Sequence, residues 1–174
     1  QMRANLPDAV GGVLWFGTDD ANMTVFTPVY CCTTKAPVCY TRVDGADYIT
    51  FSWNSAFWIF NWVANMVYPR YDLMIGDVRA TQNELETTFN EAQEGIEAAA
   101  VKLYEKNPET AVKFLTNYTD MTAQSTFNTW KRLGEFIIVK YNDGVIRKMK
   151  DGKFERNAIG QPAGVVRPGY SKEF

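Results

Sequence analysis

The candidate groups for chemistry in this sequence are its cysteines, carboxylates and amides, and it contains no histidine. Without imidazole, the chain by itself builds no Cys-His or Ser-His nucleophile pair, no His-ligated zinc site and no haem with a histidine axial ligand. The chemistry left open is an N-terminal nucleophile with its own α-amino group as base, a carboxylate pair, or a carboxylate-bound metal. Residue 1 is Gln1, neither a nucleophile nor an initiator methionine, which suggests a processed product or a piece of something longer.

Each candidate group has an ordinary structural use. Cys31, Cys32 and Cys39 lack C-x-x-C metal spacing, and their odd number leaves one thiol over if two pair. They read as small buried or half-buried residues on neighbouring strands, with a bridge from Cys31 or Cys32 to Cys39 left open. Asp19, Asp20, Asp44 and Asp47 supply the oxygens a calcium ion takes, but without EF-hand spacing, and turn chemistry accounts for them. Trp53, Trp58, Trp62 and Tyr68 with Asn54, Asn61 and Asn65 form an aromatic and amide cluster. Buried amides more often bond the protein's own carbonyls than a substrate backbone. Glu84, Glu86, Glu91, Glu94 and Glu97 read as a solvated helix face with no acid–base pair. No catalytic residue, cofactor site or metal site is assigned to this chain.

The elements that must position these groups belong to a chain of ordinary globular composition. It has 174 residues, 46% hydrophobic and 22% charged, the size of one domain with a real core. Eighteen basic against twenty acidic residues give −2, so no cationic field points to nucleic acid. The strongest apolar run, Ala56 to Phe60, is broken by Asn61 and Asn65, too soon for a membrane span. No basic n-region with a cleavage site opens the sequence, so any secretion signal lies upstream.

Gly12 to Phe16, a turn cluster at Thr18 to Asn22, and Met23 to Tyr30 predict a hairpin, with Pro28 at a bulge or edge. A third extended piece is expected over Pro37 to Val43. Ser55 to Tyr68 is apolar on nearly every helical face, as in a helix inside a core. After Pro69 an amphipathic helix runs to Lys106, with the stripe Leu85, Phe89, Ala92, Ile96, Ala99 and Leu103. Asn107-Pro108-Glu109 carries an N-cap, an N1 proline and a first-turn acid, so a second helix starts there and returns antiparallel to about Asn142. Its polar stretch Thr116 to Thr126 permits a break near Asp120. Asn142-Asp143-Gly144 is a turn. Val145 to Phe174 reads as an extended arm, with Arg147, Lys148, Lys150, Lys153 and Arg156 as a solvated basic set.

Four segments carry a family likeness: Gly12-Val13-Leu14-Trp15-Phe16-Gly17, Val25-Phe26-Thr27-Pro28-Val29-Tyr30, Ala36-Pro37, and Asn54 to Phe60. In order and spacing they resemble the closing section of the C69 dipeptidases, cysteine N-terminal nucleophile hydrolases. The helices through Gln82, Leu85 and Glu86 to Trp130 and Leu133 are similar to that family's C-terminal extension. The resemblance implies an α+β chain that forms part of an αββα sandwich. Residues 1–68 would close the sandwich, 69–142 form a helical hairpin extension and 143–174 an extended arm. It implies a C-terminal fragment, inactive alone, of an enzyme that hydrolyses short peptides through an N-terminal cysteine absent here. Cys31, Cys32 and Cys39 are internal and inherit no role. The expected partners are the missing N-terminal portion, a short peptide in the intact enzyme, and a second copy through an exposed sheet edge or the helices. The compartment stays open, with an exported bacterial protein as the setting the resemblance suggests. The competing expectation is a non-enzymatic helical module for protein interaction or dimerisation.

Overall fold

Residues 12–30 fold as the expected hairpin. Strand β1 (Val13–Phe16) pairs antiparallel with β2 (Thr27–Tyr30), Val13 opposite Tyr30 and Phe16 opposite Thr27. The structure, a computed structural model, describes residues 1–169. A four-residue helix, α1 (Asp8–Gly11), leads into β1, and residues 1–3 lie along its outer side, Arg3 N donating to Gly11 O at 2.9 Å.

The other edge of the hairpin meets a helix. Helix α2 (Ala56–Val67) is followed by α3 (Tyr71–Lys106) and α4 (Pro108–Tyr141). Along the outer edge of β2, Phe26 N donates to Glu86 Oε1 at 3.0 Å and Tyr30 N to Thr119 Oγ1 at 3.2 Å. Pro28, between them, has no N–H to satisfy, which is why a proline fits an edge. Thr34 N adds a bond to Thr116 Oγ1 at 3.3 Å, and the Thr27 hydroxyl meets Thr126 at 3.3 Å. Thr116, Thr119 and Thr126 are all buried. The polar stretch that permitted a break near Asp120 is instead a row of acceptors turned to the sheet, and α4 runs unbroken for 34 residues.

Helix α2 is enclosed as its composition requires, with Ile59, Phe60, Val63 and Val67 all buried. Phe60 stacks on Trp130 of α4, ring centroids 4.7 Å apart and planes 7° from parallel. Gly134 of α4 lies against the face of Trp62, close enough that a Cβ there would meet ring carbons at 2.3 Å. After a 3₁₀ turn at Tyr68–Arg70, where Pro69 interrupts the helical run, α3 begins. Asn107 alone joins α3 to α4, its Oδ1 accepting from Glu109 N at 2.9 Å as the capping pattern predicts. At the open end of the antiparallel pair, Lys140 and Tyr141 of α4 both bond the Asp77 carboxylate of α3, at 2.8 and 2.7 Å.

Four expectations are corrected. Pro37 to Val43 is not extended but turns twice in 3₁₀ geometry (Val38–Tyr40, Val43–Gly45), its amides closing on local carbonyls such as Tyr40 N to Pro37 O at 3.0 Å. The buried face of α3 is partly polar. Gln82, Gln93 and Glu97 lie on it beside Phe89, while Ala99 of the expected stripe is exposed. Glu97 is therefore not solvated: it is 3% exposed, paired with Arg3 at 3.1 Å and bonded by Gln93 at 2.8 Å. The C-terminal stretch is not an open arm either. Strand β3 (Ile146–Arg147) pairs with β6 (Val165–Val166), and β4 (Met149–Lys150) with β5 (Lys153–Phe154). Asp151 and Gly152, both at positive φ, make the tight turn an Asp-Gly pair favours. The meander rests on α4 through a Phe136–Phe154 stack at 5.7 Å. Arg147 of the basic set leaves solvent to bond Val139 O at 2.6 Å, while Lys148, Lys150, Lys153 and Arg156 stay exposed. Residues 170–174 of the expected arm lie outside the described residues.

Candidate functional site

Two loops and the start of α2 enclose a surface lined by acids, an arginine, hydroxyls and aromatic rings. The first loop, between β1 and β2, turns at Asp19 (φ 64°) and is pinned to α3. Arg79 Nη1 donates to Asn22 O at 2.8 Å, and Gln82 donates to the carbonyls of Asn22 and Thr24. The second loop, residues 37–54, is held by its own acids. Asp44, at φ 56°, accepts from the Ser52 hydroxyl at 2.7 Å and Asn54 Nδ2 at 2.8 Å, and these bonds, Ser52's foremost, hold its carboxyl below the usual range. Asp47 accepts from Ile49 N at 3.1 Å and pairs with Arg42 at 2.9 Å, and it too is lowered, chiefly by the Ile49 amide.

Between these loops lie two open grooves, of about 240 Å³ and 570 Å³, that share Tyr40, Thr41, Ser55 and Phe57. The smaller reaches Asp19 beside Gly17, and the larger reaches Arg42 and Asp47. Ser55 stands at the N-cap of α2, is 4% exposed, and its hydroxyl caps none of the helix's first amides. Burial pushes the Tyr40 hydroxyl up to about 12. A third groove of about 570 Å³ continues from Tyr40 and Phe16 across Leu14 to Cys31 and Lys35.

The expected clusters resolve as follows. The four aspartates separate onto two loops, Asp19 bonded by Asn61 at 3.2 Å and Asp20 by the Tyr68 hydroxyl, which holds Asp20 below its usual range. Among the described residues no group of three or more thiols or carboxylates gathers as a metal would need. Trp53 meets Trp62 edge to face at 5.2 Å, and Trp58 donates to Thr50 O at 2.7 Å. Asn61 and Asn65 bond each other, while Tyr68 belongs to the first loop's carboxylates. All three cysteines are free thiols and none sits in a strand. Cys31 is exposed, contrary to expectation, because it follows β2 in a turn. Burial raises the Cys32 thiol and lifts Cys39 to about 11, so neither is poised as a thiolate.

The residues that line the paired grooves all fall between Phe16 and Phe57. Residues 1–84 match the sequence model described as peptidase family C69. Over that segment the chain is similar to peptidase family C69. Both grooves lie wholly inside the matched segment. Most of α3, all of α4 and the C-terminal meander lie outside it. No curated protein matches the chain. No described helix is long and apolar enough to cross a membrane.

Sequence reasoning passed over Tyr40, Arg42, Ser55 and Phe57 as site residues. The one available signal was positional: Ser55 precedes an apolar run at the place where an N-cap belongs.

Proposed function

We propose that this C69 chain is the C-terminal portion of a dipeptidase whose nucleophile is an N-terminal cysteine outside residues 1–174. Residues 1–68 close an αββα sandwich and line the substrate groove, 69–142 buttress it, and 143–169 cover the far end of the helical hairpin. In the intact enzyme the N-terminal thiolate attacks the carbonyl of a short peptide, its own α-amine having taken the proton. An acyl-enzyme forms, the amine leaves, and water releases the acid.

The observation that carries this reading is a groove of charged ends and aromatic walls with no activated nucleophile beside it. The one thiol that lines the paired grooves is Cys39, and burial keeps it protonated well above neutral pH. With no histidine in the sequence, no imidazole is available to activate it.

The test is hydrolysis of a panel of dipeptides by residues 1–174 and by the native protein purified from its source, with the native N-terminus sequenced. The reading requires the native species to cleave dipeptides and begin with cysteine, and residues 1–174 to be inert. Cleavage by residues 1–174 that disappears in Cys31→Ser would place the nucleophile in this chain and overturn it.

A further inference from the structure

We propose that the outer edge of β1 receives the segment preceding Gln1 in the intact protein as a third, antiparallel strand. The residue immediately before Gln1 lies opposite Leu14 and the one before that opposite Trp15. This deepens the dipeptidase reading, which supplies the upstream portion, and gives that portion a place on the sheet.

Residues 1–3 already form the end of such a strand. Gln1 and Val13 exchange both bonds of a ladder pair, Gln1 N donating to Val13 O at 2.8 Å and Val13 N to Gln1 O at 3.0 Å. Met2 bridges Gly12 antiparallel, and Arg3 N reaches Gly11 O at 2.9 Å. This ladder sets the register, because each step back along the chain from Gln1 is one step forward along β1. The segment is also anchored from the side. The Gln1 Oε1 accepts from Trp15 Nε1 at 3.2 Å and from Gln93 Nε2 at 3.0 Å, and the Arg3 guanidinium pairs with buried Glu97 at 3.1 Å.

The direction of the preceding chain follows from the peptide bond. With the Gln1 nitrogen aimed at Val13 O, a planar trans peptide turns the preceding carbonyl away from β1, as in a strand. Trp15, two residues on from Val13, presents its N–H and C=O to the same edge, and among the described residues nothing outside the hairpin bonds either. Those two groups make the next ladder pair. On the way the added strand passes Leu14, 54% exposed, and it extends toward Phe16, 37% exposed. Both line the groove that continues from Tyr40 to Cys31 and Lys35, so the upstream portion meets the sheet along this apolar wall. A second copy is the poorer occupant. Gln1 already fills the edge at Val13 and leaves a separate chain only the short stretch from Trp15 onward, whereas a covalently attached segment is held there in register.

The experiment is amide hydrogen exchange of the native protein purified from its source and of residues 1–174, read residue by residue by mass spectrometry, with the native N-terminus sequenced. Trp15 should exchange about a hundredfold more slowly in the native species, as an amide that gains a ladder partner does. Tyr30, whose amide is already bonded to Thr119, should exchange alike in both. A native chain that begins upstream of Gln1 but leaves Trp15 as fast as in residues 1–174, or slows Trp15 and Tyr30 equally, overturns the inference alone. Protection of Trp15 in residues 1–174 that rises with protein concentration assigns the edge to a second copy and overturns it too. Protection of Trp15 in a native chain that begins upstream but cleaves no dipeptide sinks the dipeptidase reading alone. A native chain that begins at Gln1 sinks both.

Discussion

Alanine at Gly134 should destabilise the protein, although the same change elsewhere in its long helices should stabilise it. A helix interior prefers alanine to glycine by about 1 kcal/mol. At Gly76 and Gly95 of α3 an added Cβ meets nothing within 4 Å, so that preference should appear undiminished. At Gly134 the Cβ would lie 2.3, 2.8 and 2.9 Å from three carbons of the Trp62 ring. Trp62 cannot simply swing aside, because its ring rests edge to face on Trp53 at 5.2 Å. Overpacking of this kind costs about 1–3 kcal/mol, which outweighs the propensity gain and leaves a net loss of about 1 kcal/mol. Near this chain length 1 kcal/mol moves Tm by about 2–4 °C. Thermal unfolding should therefore show Gly95→Ala rising and Gly134→Ala falling by about that much. Trp62→Leu should remove most of the penalty, with a coupling of about 1 kcal/mol in the double-mutant cycle. If Gly134→Ala rises with Gly95→Ala, the close approach of α2 and α4 at Trp62 is wrong.

Other outcomes test separate contacts. Thr119→Val keeps the shape but strips the acceptor from the buried Tyr30 amide, and should cost about 1–3 kcal/mol in urea unfolding, while Thr87→Val on exposed α3 should stay within about 0.5 kcal/mol. Asn107→Ala removes the cap of α4 and should cost about 1 kcal/mol, measured the same way. Iodoacetamide labelling of the folded protein at pH 8, read by mass spectrometry, should modify exposed Cys31 first and buried Cys39 only on unfolding. Cys39 and Tyr40 are raised from ordinary values of 9.0 and 10.0 to about 11 and about 12 by burial. The folded state holds those protons more tightly, so their contribution is intact below pH 9.0 and should be lost as pH rises through about 12, seen as a falling urea midpoint.

The backbone of this fold was legible wherever the signal was local. The hairpin, the buried helix α2, the break at Pro69 and the Asn107-Pro108 start of α4 follow from apolar period, capping and proline geometry, and the structure has each of them. What escaped were groups whose partners are distant in sequence. Gln82 lies on the buried face of α3 because the carbonyls of Asn22 and Thr24 await it, and Glu97 because Arg3 does. An apolar stripe counts such residues as solvated. The threonines of α4 suggested a break for the same reason. The Asp151-Gly152 turn was a local signal outweighed by the glycines and prolines around it. The groove was the least legible feature, since Asp19, Arg42 and Ser55 are brought together only by the docking of two loops on α2.

The threonine row gives the hairpin a direction of growth. A strand edge normally invites another strand, and a second copy of the chain could answer the invitation as readily as the intended neighbour. Beside β2 that invitation is withdrawn: Glu86 and Thr119 have taken the donors at Phe26 and Tyr30, and Pro28 offers none. Any strand added to this sheet must therefore join beyond β1, where residues 1–3 already lie. The sheet has one edge closed by side chains of α3 and α4 and the other bordered by residues 1–3.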